Sequence, residues 1–127
     1  MSIVEFRHHT LSNGLDVVAE CNPNAYSTGL AYFVKTGSRD ETPEISGVSH
    51  FLEHMVFKGS KTSAAGAFDK AIESLGGSSN AATGFDDVHF HVLIPPKDIF
   101  SATELLLELV FDPSLIEQEY NLEREVV

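Results

Sequence analysis

The 127 residues predict an α+β domain, an antiparallel-rich mixed sheet with helices packed on one face. Three observations carry that expectation. Within residues 6–20 an Asn13-Gly14 pair sits between two alternating segments, a strong short-range hairpin signal. From Val88 to Ile94 apolar residues recur at every second position, the period of a half-buried strand. The elements then run strands, helix, helix, strand, helix, helix, without strict β-α alternation or an internal repeat. The length allows at most one domain, and 43% hydrophobic residues are enough for a core.

Taken in order, the hairpin is followed by a break at Asn22-Pro23-Asn24 and a β-rich apolar run from Ser27 to Val34, expected to be a buried strand. Residues 38–45 are polar and contain Pro43, so they form a loop. Ser46-Gly47-Val48-Ser49 leads into a helix that Gly59 ends. Thr62 or Ser63 is placed to cap a second helix, whose apolar face is Ala67, Phe68, Ala71, Ile72 and Leu75 and which Gly76-Gly77 terminates. The stretch from Ser78 to Gly84 is small and polar. After the 88–94 strand and its Pro95-Pro96 stop, Asp98 to Phe111 reads as a core helix, with Asp112-Pro113 behind it. A last helix is expected from near Ser114, still running at Val127 because no glycine, proline or cap closes it.

Composition excludes several classes of function. A net charge of −11 with only eight Lys and Arg argues against a nucleic-acid partner, whose phosphates need clustered cations. No apolar run reaches the length of a membrane span, and residues 1–20 lack the features of a signal peptide, so a cytoplasmic protein is expected. The single Cys21 forms no internal disulfide and fits a reducing compartment. Acidic residues thicken toward the C-terminus, at Glu117, Glu119, Glu123 and Glu125, as they would on a solvated helix face.

The chemistry concentrates in His50-Phe51-Leu52-Glu53-His54. Helix positions four apart share a face, so His50 and His54 can aim two imidazoles at one point. Glu53 lies beside that point, within reach of a water held there, while Phe51 and Leu52 face away and can pack. Two histidines at this spacing also suit a purely structural pair, each satisfying a hydrogen bond. His89 and His91 share a strand face and read as surface or sheet-packing residues, and His8-His9 as solvent-exposed.

In this motif the glutamate directly precedes the second histidine, the inverted H-x-x-E-H order. The chain resembles the pitrilysin/insulinase family of zinc peptidases, which includes the mitochondrial processing peptidases and insulin-degrading enzyme. Five segments match in family order. They are Thr10-Leu11-Ser12-Asn13-Gly14-Leu15, Gly37-Ser38-Arg39-Asp40-Glu41, the run from Gly47 to Gly59, Gly76-Gly77-Ser78-Ser79-Asn80-Ala81 with Thr83, and Glu123-Arg124-Glu125-Val126-Val127.

The resemblance implies zinc held by His50 and His54, Glu53 as general base, Glu123 behind the histidines, and an extended peptide bound along the backbone of Asn80 and Ala81. Without it, Asn80 is a loop residue after a glycine turn and Glu123 a solvated helix residue. Family members complete the zinc site with a glutamate two helical turns after the supporting one, which from Glu123 is position 130. The resemblance therefore implies that residues 1–127 are the N-terminal part of one zinc-peptidase domain, cut within its last helix and inefficient alone, with a homologous second domain or subunit as partner. Faces uncovered by such a cut favour an oligomer, possible exchange of elements included. The alternative is a non-catalytic homologue or fragment that binds peptide or a partner subunit.

Overall fold

The computed structural model describes residues 3–127; the first two positions of the 1–127 span lie outside the described residues. Strands β1 (Glu5–Thr10) and β2 (Asp16–Cys21) form the expected hairpin, registered from Glu5 opposite Cys21 to Thr10 opposite Asp16. Gly14 closes its turn at φ +88°, donating its N–H to the Leu11 carbonyl at 2.9 Å, while Leu11 N–H reaches the Leu15 carbonyl at 2.8 Å. Asn13 has no positive φ, so the pair ends a longer turn rather than forming a two-residue one. Phe6 and Val18 remain exposed on the hairpin, as do His8 and His9.

The second sheet holds β3 (Thr28–Val34), β4 (Ser78–Thr83) and β5 (Val88–Ile94) in the order β3-β5-β4. Every strand pairing among the described residues is antiparallel. Four helices follow the chain: α1 (Val48–Val56), α2 (Ala67–Ser74), α3 (Ile99–Phe111) and α4 (Glu117–Glu123). None is long and apolar enough to cross a membrane. The central β5 buries Val88, Phe90, Val92 and Ile94 against Val56, Ile72, Ala102, Leu106 and Leu109 from α1, α2 and α3. His89, His91 and Leu93 turn to the opposite face, where the two imidazoles stack at 5.8 Å. The helices thus cover one face, as the alternation requires.

Several expectations change. The apolar run at β3 is only half buried, because one sheet face is uncovered: Phe33 sits on that open face, 61% exposed and 5.2 Å from the His89 ring. Ser78–Thr83 forms a strand despite its small, polar sequence, because β5 supplies a complete ladder beside it. The loop at 38–45 contains two short 3₁₀ turns, Ser38–Asp40 and Pro43–Ile45.

Helix α2 is not capped by Thr62 or Ser63. It begins after Gly66, at φ +78°, and both hydroxyls instead donate to the Glu108 carboxylate on α3, at 2.8 and 2.9 Å. The final helix begins at Glu117, not near Ser114. Leu115 takes a left-handed φ of +47°, and Ser114 is held by its N–H and hydroxyl to the Gly59 carbonyl at 3.0 and 3.1 Å. Helix α4 is regular to Glu123, and its carbonyl then accepts Val126 and Val127 N–H in a closing turn.

Gly77 marks the tightest helix-to-strand junction. A Cβ there would lie 2.5 Å from the Leu93 carbonyl oxygen and 2.8 Å from Ile94 Cγ2. Gly77→Ala should therefore lower stability by about 1–3 kcal/mol in urea denaturation, because backbone must shift to admit one methyl. An unchanged midpoint would show that the junction is looser than this.

Candidate metal centre

The site is assembled from the loop before α1. Ser38 and Arg39 donate their N–H groups to the Gly84 and Phe85 carbonyls at 3.1 and 2.9 Å, and the Arg39 guanidinium reaches Asp86 at 2.6 Å. A Cβ on Gly37 would fall 2.5 Å from the Phe85 carbonyl oxygen, so only glycine lets this loop lie against the β4-β5 turn. The loop then presents Glu41 to the start of α1. Its carboxylate accepts the N–H groups of Gly47 at 2.6 Å and Ser49 at 2.9 Å, doing from a distance what an N-cap side chain does locally. Those bonds, Gly47 first, hold the Glu41 carboxyl below its ordinary range.

On α1 the rings of His50 and His54 meet at a 4.6 Å centroid separation and 82°, with their Nε2 atoms 3.0 Å apart. His50 is exposed and His54 half-buried. Behind His54, its Nδ1 lies 2.7 Å from Glu123 Oε1. Glu123 is 5% exposed, the one buried charged residue among those described. Its other oxygen, Oε2, accepts from Lys58 Nζ at 2.7 Å. Lys58, more than His54, holds the Glu123 carboxyl below the ordinary carboxylate range, against the opposing effect of burial. An ionised carboxylate only accepts, so the His54 proton belongs on Nδ1 and the Nε2 lone pair is free.

That arrangement fits a metal ion. A tetrahedral zinc about 2.05 Å from two imidazole nitrogens holds them about 3.3 Å apart, close to the separation observed. A ligating histidine also ordinarily donates its second N–H to a carboxylate, as His54 does to Glu123. Among the described residues no group of three or more His, Cys, Asp or Glu converges on one point, so these two rings are the donors present.

Glu53, the candidate base, accepts a short hydrogen bond from the Thr83 hydroxyl at the inward-facing end of β4. An open cleft of about 310 Å³ brings Glu53, His54, Asn80, Ala81 and Glu123 together, with Lys58 beside them; His50 stands outside its lining. Strand β4 is an edge strand among the described residues, and Ala81 N–H is occupied by the Asn80 side-chain oxygen at 2.9 Å. His89 and His91, on the far face of the sheet, are not part of the site. Of the two motif residues expected to pack, Phe51 does so, edge-on to Tyr120 at 5.1 Å, whereas Leu52 is 47% exposed.

Sequence reasoning did not assign Lys58, Thr83 or Glu41 to the site. Lys58 carries a local signal, since it follows His54 by four positions. Thr83 and Glu41 act across turns that no local pattern encodes.

The family model described as Insulinase (Peptidase family M16) matches residues 16–127. The zinc protease YmxG of Bacillus subtilis is 36% identical over 121 residues, which are 95% of this chain and 30% of that protein. A probable mitochondrial-processing peptidase subunit beta of Arabidopsis thaliana is 34% identical over 127 residues, all of this chain and 24% of the relative. The crystal structure of a protease from Helicobacter pylori superposes with a TM-score of 0.91 at 35% identity, covering 97% of this chain and 30% of the other. The chain therefore spans less than a third of the length of these relatives.

The Glu41 contact has a pH signature. Because its folded pKa is depressed, its contribution is complete above the unfolded value, about pH 4.3, and disappears as pH falls through the lower folded value. Glu41→Gln should be less stable than the parent near neutrality in chemical denaturation, with the gap closing as pH drops toward about 3. A gap that stays constant over that range would refute the capping role.

Proposed function

Because the chain belongs to the insulinase peptidase family, M16, we propose that it is the motif-bearing part of a zinc-dependent endopeptidase acting on extended peptides. The observation that carries this reading is the pair of Nε2 atoms 3.0 Å apart, backed by a buried carboxylate on His54. His50 and His54 hold the ion, and a glutamate seven positions after Glu123, outside these 127 residues, completes the set. When bound, zinc polarises a carbonyl and brings the pKa of water toward neutrality.

The rest is done by residues of this chain. Glu53 takes a proton from the attacking water and passes it to the leaving amine. Thr83 holds one Glu53 oxygen, so the carboxylate enters the reaction from a fixed direction. Glu123 keeps the His54 proton on Nδ1. An extended substrate adds to the free edge of β4, its carbonyl replacing the Asn80 side chain on Ala81 N–H. A homologous second domain or subunit closes over that peptide, and the 127 residues alone hydrolyse slowly. One relative is itself described as a peptidase subunit, which supports a two-part assembly.

The test uses the protein extended to the length of its relatives, with metal analysis and a quenched fluorescent peptide. Chelation should abolish hydrolysis and zinc should restore it. Glu53→Gln should keep stoichiometric zinc yet lose about 10²–10⁴-fold in kcat. Hydrolysis unchanged by Glu53→Gln would overturn the mechanism. Absence of both zinc and hydrolysis would favour a peptide-binding or partner-binding homologue.

A further inference from the structure

The reaction described above leaves one charged residue of the cleft without a task. Lys58 lies just past the last turn of α1, where its N–H bonds the Met55 carbonyl at 3.1 Å, and its side chain is 33% exposed. Its ammonium takes Glu123 Oε2 at 2.7 Å, while His54 Nδ1 takes Oε1 at the same distance. The final torsion of a glutamate is broad and nearly two-fold, so a carboxylate held at one oxygen can swing about its axis. Held at both oxygens, its plane is set, and with it the direction from which His54 is gripped.

The charges matter as well. Glu123 is buried, and Lys58 puts a full positive charge on it whatever the state of His54. A carboxylate shared with an ammonium is a weaker acceptor than a free one, so Lys58 also sets how strongly Glu123 pulls on the imidazole proton. Both effects reach the metal through His54.

We propose that Lys58 is a positioning residue of the metal site, fixing the plane and charge of Glu123 and thereby the affinity with which His54 and its partners hold a divalent ion. The inference rests on the peptidase reading.

The experiment uses the full-length protein, with zinc affinity measured by competition against a chromophoric chelator and the visible spectrum of the cobalt-substituted form as second readout. Lys58→Met keeps the length and removes the charge; it should bind zinc about 10- to 100-fold more weakly and shift the cobalt bands. Lys58→Arg, which supplies a cation to the same oxygen, should recover most of the affinity. If Lys58 acts through Glu123, Lys58→Met should add almost nothing to the loss already caused by Glu123→Gln. That double variant carries no unpaired buried charge, so it also covers the case in which Lys58→Met alone fails to fold.

A folded Lys58→Met protein with parental zinc affinity and cobalt spectrum would overturn the inference and leave the peptidase reading standing. So would losses that simply add in the double variant. A parent protein that takes up no zinc would defeat both.

Discussion

Glu123 is separated by 69 residues from the ring it contacts, and a buried charge survives only where the protein itself replaces its lost hydration. Two donors do so, the His54 ring and the Lys58 ammonium, one on each oxygen. That requirement constrains the whole lower half of the molecule. Helix α1 has to stop at Val56, so that the turn to Lys58 can bring the ammonium back over the same carboxylate. Helix α4 has to approach α1 closely enough to place Glu123, and the Phe51-Tyr120 contact sets its distance. The left-handed Leu115 and the bonds from Ser114 to Gly59 aim α4 in that direction.

Strand β4 imposes the second constraint. Its inward-facing positions are Ser79, Ala81 and Thr83, which stand level with Val92, Phe90 and Val88 of β5. Larger side chains in this row would push α1 off the sheet; small ones let Glu53 come within reach of the Thr83 hydroxyl. On the outward side, Asn80 satisfies the neighbouring N–H itself. An unpaired strand edge invites indiscriminate pairing. Here a peptide has to exchange one hydrogen bond for another, so extra contacts in the cleft, and not the edge alone, decide what stays.

The parts of this fold legible in the sequence are those governed by local periodicity. The Asn13-Gly14 hairpin, the alternation of β5, the apolar face of α2 and the turn of helix joining His50 to His54 all follow from repeats of two or of 3.6 residues. What stayed hidden is tertiary. Ser78–Thr83 has no strand signature of its own, and its pairing comes from β5. Thr62 and Ser63 look like helix caps, but Glu108 on α3 attracts their hydroxyls more strongly than a backbone N–H would. Glu41 has the appearance of one more polar loop residue until the loop folds back onto Gly84 and Phe85. The placement of Glu123 beside His54 came from family resemblance alone, since composition around it describes an ordinary solvated helix.

The division between local and tertiary order also runs through the metal centre. The two imidazoles are presented by a single helical turn, so they are near each other whenever α1 forms. Their orientation is a different matter, because it depends on α4. At seven residues, α4 is too short to be helical by itself in water. Its formation therefore requires the contacts it makes on docking, chiefly Tyr120 on Phe51 and Glu123 on His54 and Lys58. Folding of this last element and fixing of the His54 ring are one equilibrium, and anything that holds the ring in place favours the docked helix by the same free energy.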